Sequence, residues 1–146
     1  MTKKSLKHAG VGDTCTWGVG DADPECFALI GELGAGKTTY VREWVRRRAP
    51  RVARQVVSPT FILHARYDLP GGPVHHMDWY RLNSAADVLS LGWEEILREP
   101  YMALFVEWAD KFPALLPRRR VEITFRHGRK ADQRMISVRR FGLKKS

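Results

Sequence analysis

The chain has 146 residues and carries 25 Lys and Arg against 16 Asp and Glu, a formal charge of +9. That length predicts one domain with a core of ordinary size, residues 1–146, and leaves no room for a second. No run approaches the roughly 18 apolar residues of a membrane span, and no apolar segment follows the basic start MTKKSLKHAG. Cys15 and Cys26 have neither metal-ligand spacing nor the density of a disulfide framework. The sequence therefore predicts a soluble, cytoplasmic protein with no membrane contact.

Residues 1–25 are rich in glycine and show little periodicity, so they predict a poorly defined, frayed end with at most one short strand. Cys26 to Ile30 (CFALI) is an apolar run that suits a buried parallel strand, and GELGAGKT follows at residues 31–38. This is a complete GxxxxGKT phosphate-binding loop. Gly31, Gly34 and Gly36 allow a tight turn, and the backbone N–H groups of Glu32, Leu33, Ala35, Thr38 and Thr39 complete the cradle. Lys37 is long enough to reach the β- and γ-phosphates, and the Thr38 hydroxyl suits Mg2+. Tyr40, Val41, Trp44 and Val45 mark one face of the helix that follows, which ends at Ala49-Pro50.

Gln55 to Val57 reads as a strand end and Ser58-Pro59-Thr60 as a turn. Phe61–Leu69 and Val74–Trp79, joined by PGGP, predict a hairpin. Ser84 and Asp87 form a capping-box pattern before a helix that Gly92 interrupts, and Trp93 to Arg98 predicts a second helical turn. Met102 to Val106 is the most apolar stretch of the chain, with Glu107 directly after it. Alternation at Val121, Ile123 and Phe125, and again over Met135 to Phe141, predicts a closing hairpin and a basic tail at 142–146.

Two acids end predicted strands. Glu107 has the placement of a Walker B acid, with Glu in place of the commoner Asp, and Asp78 is the other candidate. Thr60 lies in the segment where many loop-bearing NTPases sense the γ-phosphate. His75 and His76 do not predict zinc, because neighbouring residues of a regular strand point to opposite faces. The Arg clusters at 46–48, 118–120 and 139–140 leave two readings open: a polyanionic partner, or surplus charge on a solvated face. No aromatic pattern of the kind used by single-strand-binding sheets accompanies them.

GELGAGKT, SPTF (58–61), HMDWYRL (76–82), LGWEE (91–95) and VEWAD (106–110), in that order, resemble the TsaE family of ATPases in bacterial tRNA threonylcarbamoyladenosine biosynthesis. The likeness runs from about Phe27 to Phe125 and more weakly into the closing hairpin, including Gly128 and Arg134. It implies an α/β P-loop NTPase with a mostly parallel central sheet flanked by helices, plus β-hairpins. The implied activity is Mg2+-dependent ATP hydrolysis that supports the TsaB–TsaD pair, with tRNA contacted indirectly or weakly. Carried over to this chain, the family's functional positions are Lys37 on the phosphates, Thr38 on Mg2+, Thr60 in the switch-like segment, Asp78 in the HxDxYR element, and Glu107 near the metal. The catalytic set is then Lys37, Asp78 and Glu107, with Thr38 and Glu107 on the metal.

Trp108 matches a family tryptophan, and Thr14 or Thr16 the threonine near the adenine, although the stretch GVGDTCTWGVGD departs from the family's more helical start. No NKxD motif for guanine is present, which favours ATP. A small P-loop kinase acting on a small-molecule hydroxyl is the alternative activity. Its usual Arg-bearing lid has no counterpart in the short, acidic stretch 83–100. A nucleic-acid-binding protein in which ATP is incidental is a third class, and only the net charge supports it.

Overall fold

The computed structural model describes residues 3–10, as backbone, and 25–142. Thr14, Thr16 and most of the basic tail, residues 143–146, lie outside the described residues. Seven strands form one sheet: β1 (Lys3–Gly10), β2 (Glu25–Ile30), β3 (His64–Leu69), β4 (Gly72–Asp78), β5 (Ala103–Glu107), β6 (Arg120–His127) and β7 (Gln133–Phe141). Their spatial order is β1-β7-β6-β2-β5-β4-β3. The four central strands, β6-β2-β5-β4, are parallel, and antiparallel partners extend both edges. This is the α/β architecture expected of a phosphate-loop protein.

Burial on both faces explains why the central strands read as apolar runs rather than alternating ones. All five residues of β5 are buried, and Phe105 stacks on Phe27 of β2 at 4.8 Å between ring centroids. Each such fully buried side chain contributes roughly 1.5–3 kcal/mol relative to exposure. Helix α1 (Lys37–Arg48) lays Tyr40, Val41 and Val45 against the face that carries Phe27, Leu29 and Phe105. Short helices α2 (Ala85–Leu89) and α3 (Trp93–Arg98) cover the other face through Val88, Trp93 and Ile96. The capping box is present: the Ser84 side chain accepts from the Asp87 N–H, and the Asp87 carboxylate accepts from the Ser84 N–H. Among the described residues no helix is long and apolar enough to cross a membrane.

Three local expectations need correction. Gln55 to Val57 is not a strand end; Val52–Gln55 is a 3-10 turn, separated from α1 by Ala49, Pro50 and Arg51. Strand β3 begins at His64 rather than Phe61, because the Leu63 N–H bonds back to the Pro59 carbonyl at 2.7 Å and Leu63 takes a left-handed φ of 67°. Phe61 and Ile62 are thereby left 78% and 62% exposed, although their apolar side chains suggested a strand. The first 25 residues do hold a strand, but it runs for eight residues from Lys3. Only Leu6 and Ala9 are apolar within KKSLKHA, so pairing with β7 defines this edge where no hydrophobic alternation does.

Period-two alternation along β4 sends His75 to the face opposite His76. His75 Nδ1 lies 2.8 Å from His64 Nε2, and its Nε2 has no hydrogen-bond partner among the described residues. Burial above all, then the neighbouring His64 and Arg66, pushes its pKa down to about 4, while Glu99 and Asp68 oppose the shift. The unfolded chain, with the ordinary value of 6.5, takes up the proton first, so stability is lost as pH falls from 6.5 toward about 4. Thermal unfolding across that window should show a drop in Tm that shrinks in His75→Leu. An identical pH profile in the variant would contradict this origin.

Candidate functional site

Three backbone facts build the site. Strand β2 ends at Ile30, and Gly31 then takes a φ of +156° with its Cα against Phe125 of β6. A Cβ there would meet the Phe125 carbonyl oxygen at 2.6 Å, so only glycine fits. Gly36, at φ +108°, turns the chain into α1, whose first N–H groups have no side-chain cap and no acidic residue in the first turn. A helix start left open in this way, behind a glycine loop, suits an anion. Arg46, Arg47 and Arg48 in the last turn complement the helix dipole at its other end.

The parallel register then delivers the acids. Leu29 of β2 pairs with Glu107 of β5, which in turn pairs with Asp78 of β4, so both carboxylates emerge at the same carboxyl edge as the loop. Glu107, Asp78 and His76 share the face covered by α1. The Thr38 hydroxyl contacts both Glu107 oxygens, at 3.1 and 2.9 Å. His76 Nε2 lies 2.5 Å from Glu107 Oε2, and its Nδ1 lies 3.0 Å from the Tyr67 hydroxyl. A neutral imidazole with its proton on Nε2 satisfies this chain: Tyr67 donates to Nδ1, and Nε2 donates to the carboxylate. Burial pushes the Tyr67 pKa up to about 12, which keeps its proton in place as that donor.

Asp78 has different partners. Its Oδ2 accepts from the Thr60 hydroxyl at 2.8 Å, and its Oδ1 accepts from the Tyr80 N–H at 2.8 Å. Ser58 and Thr60 hydroxyls are 2.8 Å apart. The carboxylate therefore ties the 58–60 segment to the end of β4.

Lys37 is buried, with its ammonium on the carbonyls of Gly31 and Glu32 and 4.3 Å above the Trp108 ring. Desolvation lowers its pKa, opposed by Glu107, Asp78, Asp110 and Glu32. Trp108 reaches this place through a left-handed backbone, φ 59°, directly after Glu107, and its ring also packs on Tyr80 at 4.9 Å.

These groups line an open pocket of about 250 Å3. Leu33 through Thr39, Ser58, Thr60, Asp78, Glu107 and Trp108 all contribute to its wall. Of the residues the sequence singled out, Lys37, Thr38, Thr39, Thr60, Asp78 and Glu107 reach it, whereas Gly31 and Glu32, assigned to the phosphate cradle, do not line it. Arg81 does not line it, and its guanidinium lies 4.0 Å over the Phe61 ring.

Sequence reasoning gave no role to His76, Tyr67 or Arg134. His76 carried a signal, its place two residues before Asp78 on the same strand face. Tyr67 carried none, because its contact depends on the β3–β4 pairing. Arg134, from the closing hairpin, donates to the Gly34 carbonyl at 3.1 Å and lines the pocket.

The TsaE family profile, described as threonylcarbamoyl adenosine biosynthesis protein TsaE, matches residues 6–136. The chain belongs to the TsaE family. A tRNA threonylcarbamoyladenosine biosynthesis protein TsaE from Rickettsia typhi is 33% identical over 98 residues, covering 67% of this chain and 66% of that relative. The Bacillus subtilis protein of the same name is 32% identical over 118 residues, 81% of this chain and 71% of its own length. The crystal structure of YdiB from Bacillus subtilis superposes with a TM-score of 0.67 at 22% identity, over 97% of this chain and 87% of that one, a likeness of fold. The family's place is tRNA threonylcarbamoyladenosine biosynthesis, and the P-loop fold is the nucleotide-binding kind.

His76 is the donor that the buried Glu107 depends on besides Thr38. Replacing His76 with Leu should cost about 1–3 kcal/mol, the usual penalty for a buried acceptor that loses its partner. Urea unfolding at neutral pH measures it. An unchanged midpoint would show that the carboxylate does not need the imidazole.

Proposed function

We propose that this chain is a cytoplasmic, Mg2+-dependent ATPase that supports threonylcarbamoyl modification of adenosine 37 in tRNA. In this reading it acts with the TsaB–TsaD pair and does not carry out the transfer itself. The observation that carries the proposal is the contact between the Thr38 hydroxyl and the Glu107 carboxylate at the rim of a complete phosphate loop. Hydroxyl and carboxylate oxygens are hard donors. Two of them suit Mg2+, which keeps several waters and takes phosphate oxygens for the rest of its shell. The metal's contribution would be to neutralise phosphate charge.

The chain's own residues supply binding and order. Backbone N–H groups of Glu32 to Thr39 and the start of α1 favour phosphates, and Lys37 leaves the carbonyls of Gly31 and Glu32 to pair with them. Glu107, held by His76, orients a water and accepts its proton. Asp78 holds Thr60 close to where a γ-phosphate would lie, so a partner that moves residues 58–61 changes the site. The exposed Val57, Phe61 and Ile62 around that segment, and the openness of the pocket, support slow turnover alone and faster turnover with a partner. The kinase alternative is disfavoured by the stretch between β4 and β5. Its two short helices pack on the sheet and do not reach over the pocket.

Lys37→Ala should lower ATP affinity or turnover by about 100-fold or more while leaving the fold intact by circular dichroism. Retained hydrolysis at unchanged affinity would defeat the phosphate-loop reading.

The acids should separate. Glu107→Gln should keep nucleotide affinity but lose turnover by about 100-fold or more, whereas Asp78→Asn should also reduce the stimulation given by TsaB and TsaD. ATP affinity, basal turnover and partner-stimulated turnover of each variant decide it. Intact basal turnover in Glu107→Gln would make Asp78 the principal acid. Phosphorylation of a small hydroxyl acceptor would favour the kinase.

A further inference from the structure

The parallel strands all start at the edge of the sheet opposite the nucleotide pocket, and nine of the chain's 17 arginines gather there. Helix α1 runs back from the pocket to this edge: Trp44 packs against Phe27, near the start of β2, and the Arg48 guanidinium lies 3.6 Å over the Trp44 ring. Arg46, Arg47, Arg48 and Arg51 are thereby placed at the foot of the sheet. Arg118 and Arg119 precede β6, Arg120 opens it, and the antiparallel register sets Arg120 opposite Phe141 and Val121 opposite Arg140. Arg139 pairs in turn with Lys3 at the start of β1. Clusters as distant in sequence as Arg46 and Arg140 thus occupy one end of three elements, α1, β6 and β7.

The charge is local. Among the described residues Glu25, Glu43 and Glu122 share this half of the foot with the nine arginines, and Asp21 and Asp23 directly precede Glu25 in the sequence, which leaves a surplus of four out of the chain's formal +9. Arg46 pairs with Glu43 and Arg120 with Glu122, so the surplus already includes the neutralised groups. Asp68 and Glu99 lie further along the same edge, near His75, whose neighbour Tyr101 is within reach of the Arg119 charge. Several guanidiniums are also held in place: Arg120 and Arg139 flank the Phe141 ring at 4.2 and 5.0 Å. Cations held on aromatic faces lose less side-chain freedom when they bind.

We infer that this arginine edge binds the phosphate backbone of RNA, on the side of the molecule away from the nucleotide pocket. The planar guanidinium fork matches phosphate oxygens. The exposed large apolar side chains, Leu33, Val57, Phe61, Ile62, Tyr80, Leu89 and Met135, are on other parts of the surface. Among the described residues the edge therefore offers no large exposed apolar group to enter a bilayer, and its rings, Trp44 and Phe141, carry arginines on their faces instead of lying open to stack on bases. Recognition is of backbone charge, independent of sequence and weakened by salt. The choice of RNA among polyanions rests on the tRNA-modification reading; the edge itself does not depend on ATP hydrolysis.

The test is fluorescence anisotropy of labelled, unmodified tRNA with the full chain, without nucleotide or partner, so that its failure leaves the ATPase reading intact. Wild type should bind at about 50 mM salt and weaken steeply as salt rises. The triple variant Arg47→Gln, Arg118→Gln, Arg139→Gln should bind about tenfold or more weakly, with a log–log salt slope shallower by about 2 to 3. Arg81→Gln, Arg126→Gln, Arg129→Gln removes the same charge at the opposite end of the strands and should bind like wild type. In the unaltered protein, tRNA should protect Arg47, Arg118 and Arg139 from phenylglyoxal, and Arg129 should stay reactive. The inference is overturned by absent binding, by equal losses in both triple variants, by protection elsewhere, or by binding to phosphatidylglycerol vesicles but not to tRNA.

Discussion

The contact between the Thr38 hydroxyl and the Glu107 carboxylate depends on two remote features at once: the glycine turn that starts α1 and the register that sets Leu29 beside Glu107. A shift of one residue in β5 would send Glu107 to the face covered by α2 and α3. A buried carboxylate is costly without donors, and here Thr38 and His76 supply them. The apolar strand and the glycine loop therefore specify one local arrangement between them. Phe27 and Phe105, stacked across the same pair of strands, fix the register from below.

From this contact the rest of the site divides by function. Glu107 faces the phosphate loop and is backed by His76 and Tyr67, while Asp78, one strand further out, faces Thr60 and the Tyr80 backbone. The two acids are neighbours in register but have no hydrogen-bond partner in common. Trp108 and Tyr80 join the loops that follow them, and Lys37 rests on the Trp108 ring. The 58–61 segment and Lys37 thus rest on adjoining groups, which supports the proposed influence of a partner on the site.

Much of this was legible in the sequence because it rests on local rules. The loop glycines, the apolar runs of β2 and β5, and the Ser84–Asp87 capping box each carry their structure within a few residues. What could not be read depends on pairing between distant segments. Tyr67 meets His76 only through the β3–β4 hairpin, and Arg134 meets Gly34 only because β7 folds back along β6. Phe61 and Ile62 misled as strand residues because their apolar side chains are exposed beside Thr60 instead of filling the core. The convergence of the arginines was hidden for the same reason as the Arg134 contact: it is a property of topology.

The central claim is that Thr38 and Glu107 together hold the metal while Asp78 holds the switch-like segment. Its most direct test is a crystal structure with a non-hydrolysable ATP analogue and Mn2+ located by anomalous scattering. The account predicts the metal on the Thr38 hydroxyl at roughly 2.1 Å, with Glu107 bound to it directly or through one of its waters. Lys37 should have moved from the Gly31 carbonyl to the phosphates, and Asp78 should remain on Thr60 or its backbone neighbours. A metal ligated by Asp78, with Glu107 turned away from Thr38, would contradict it.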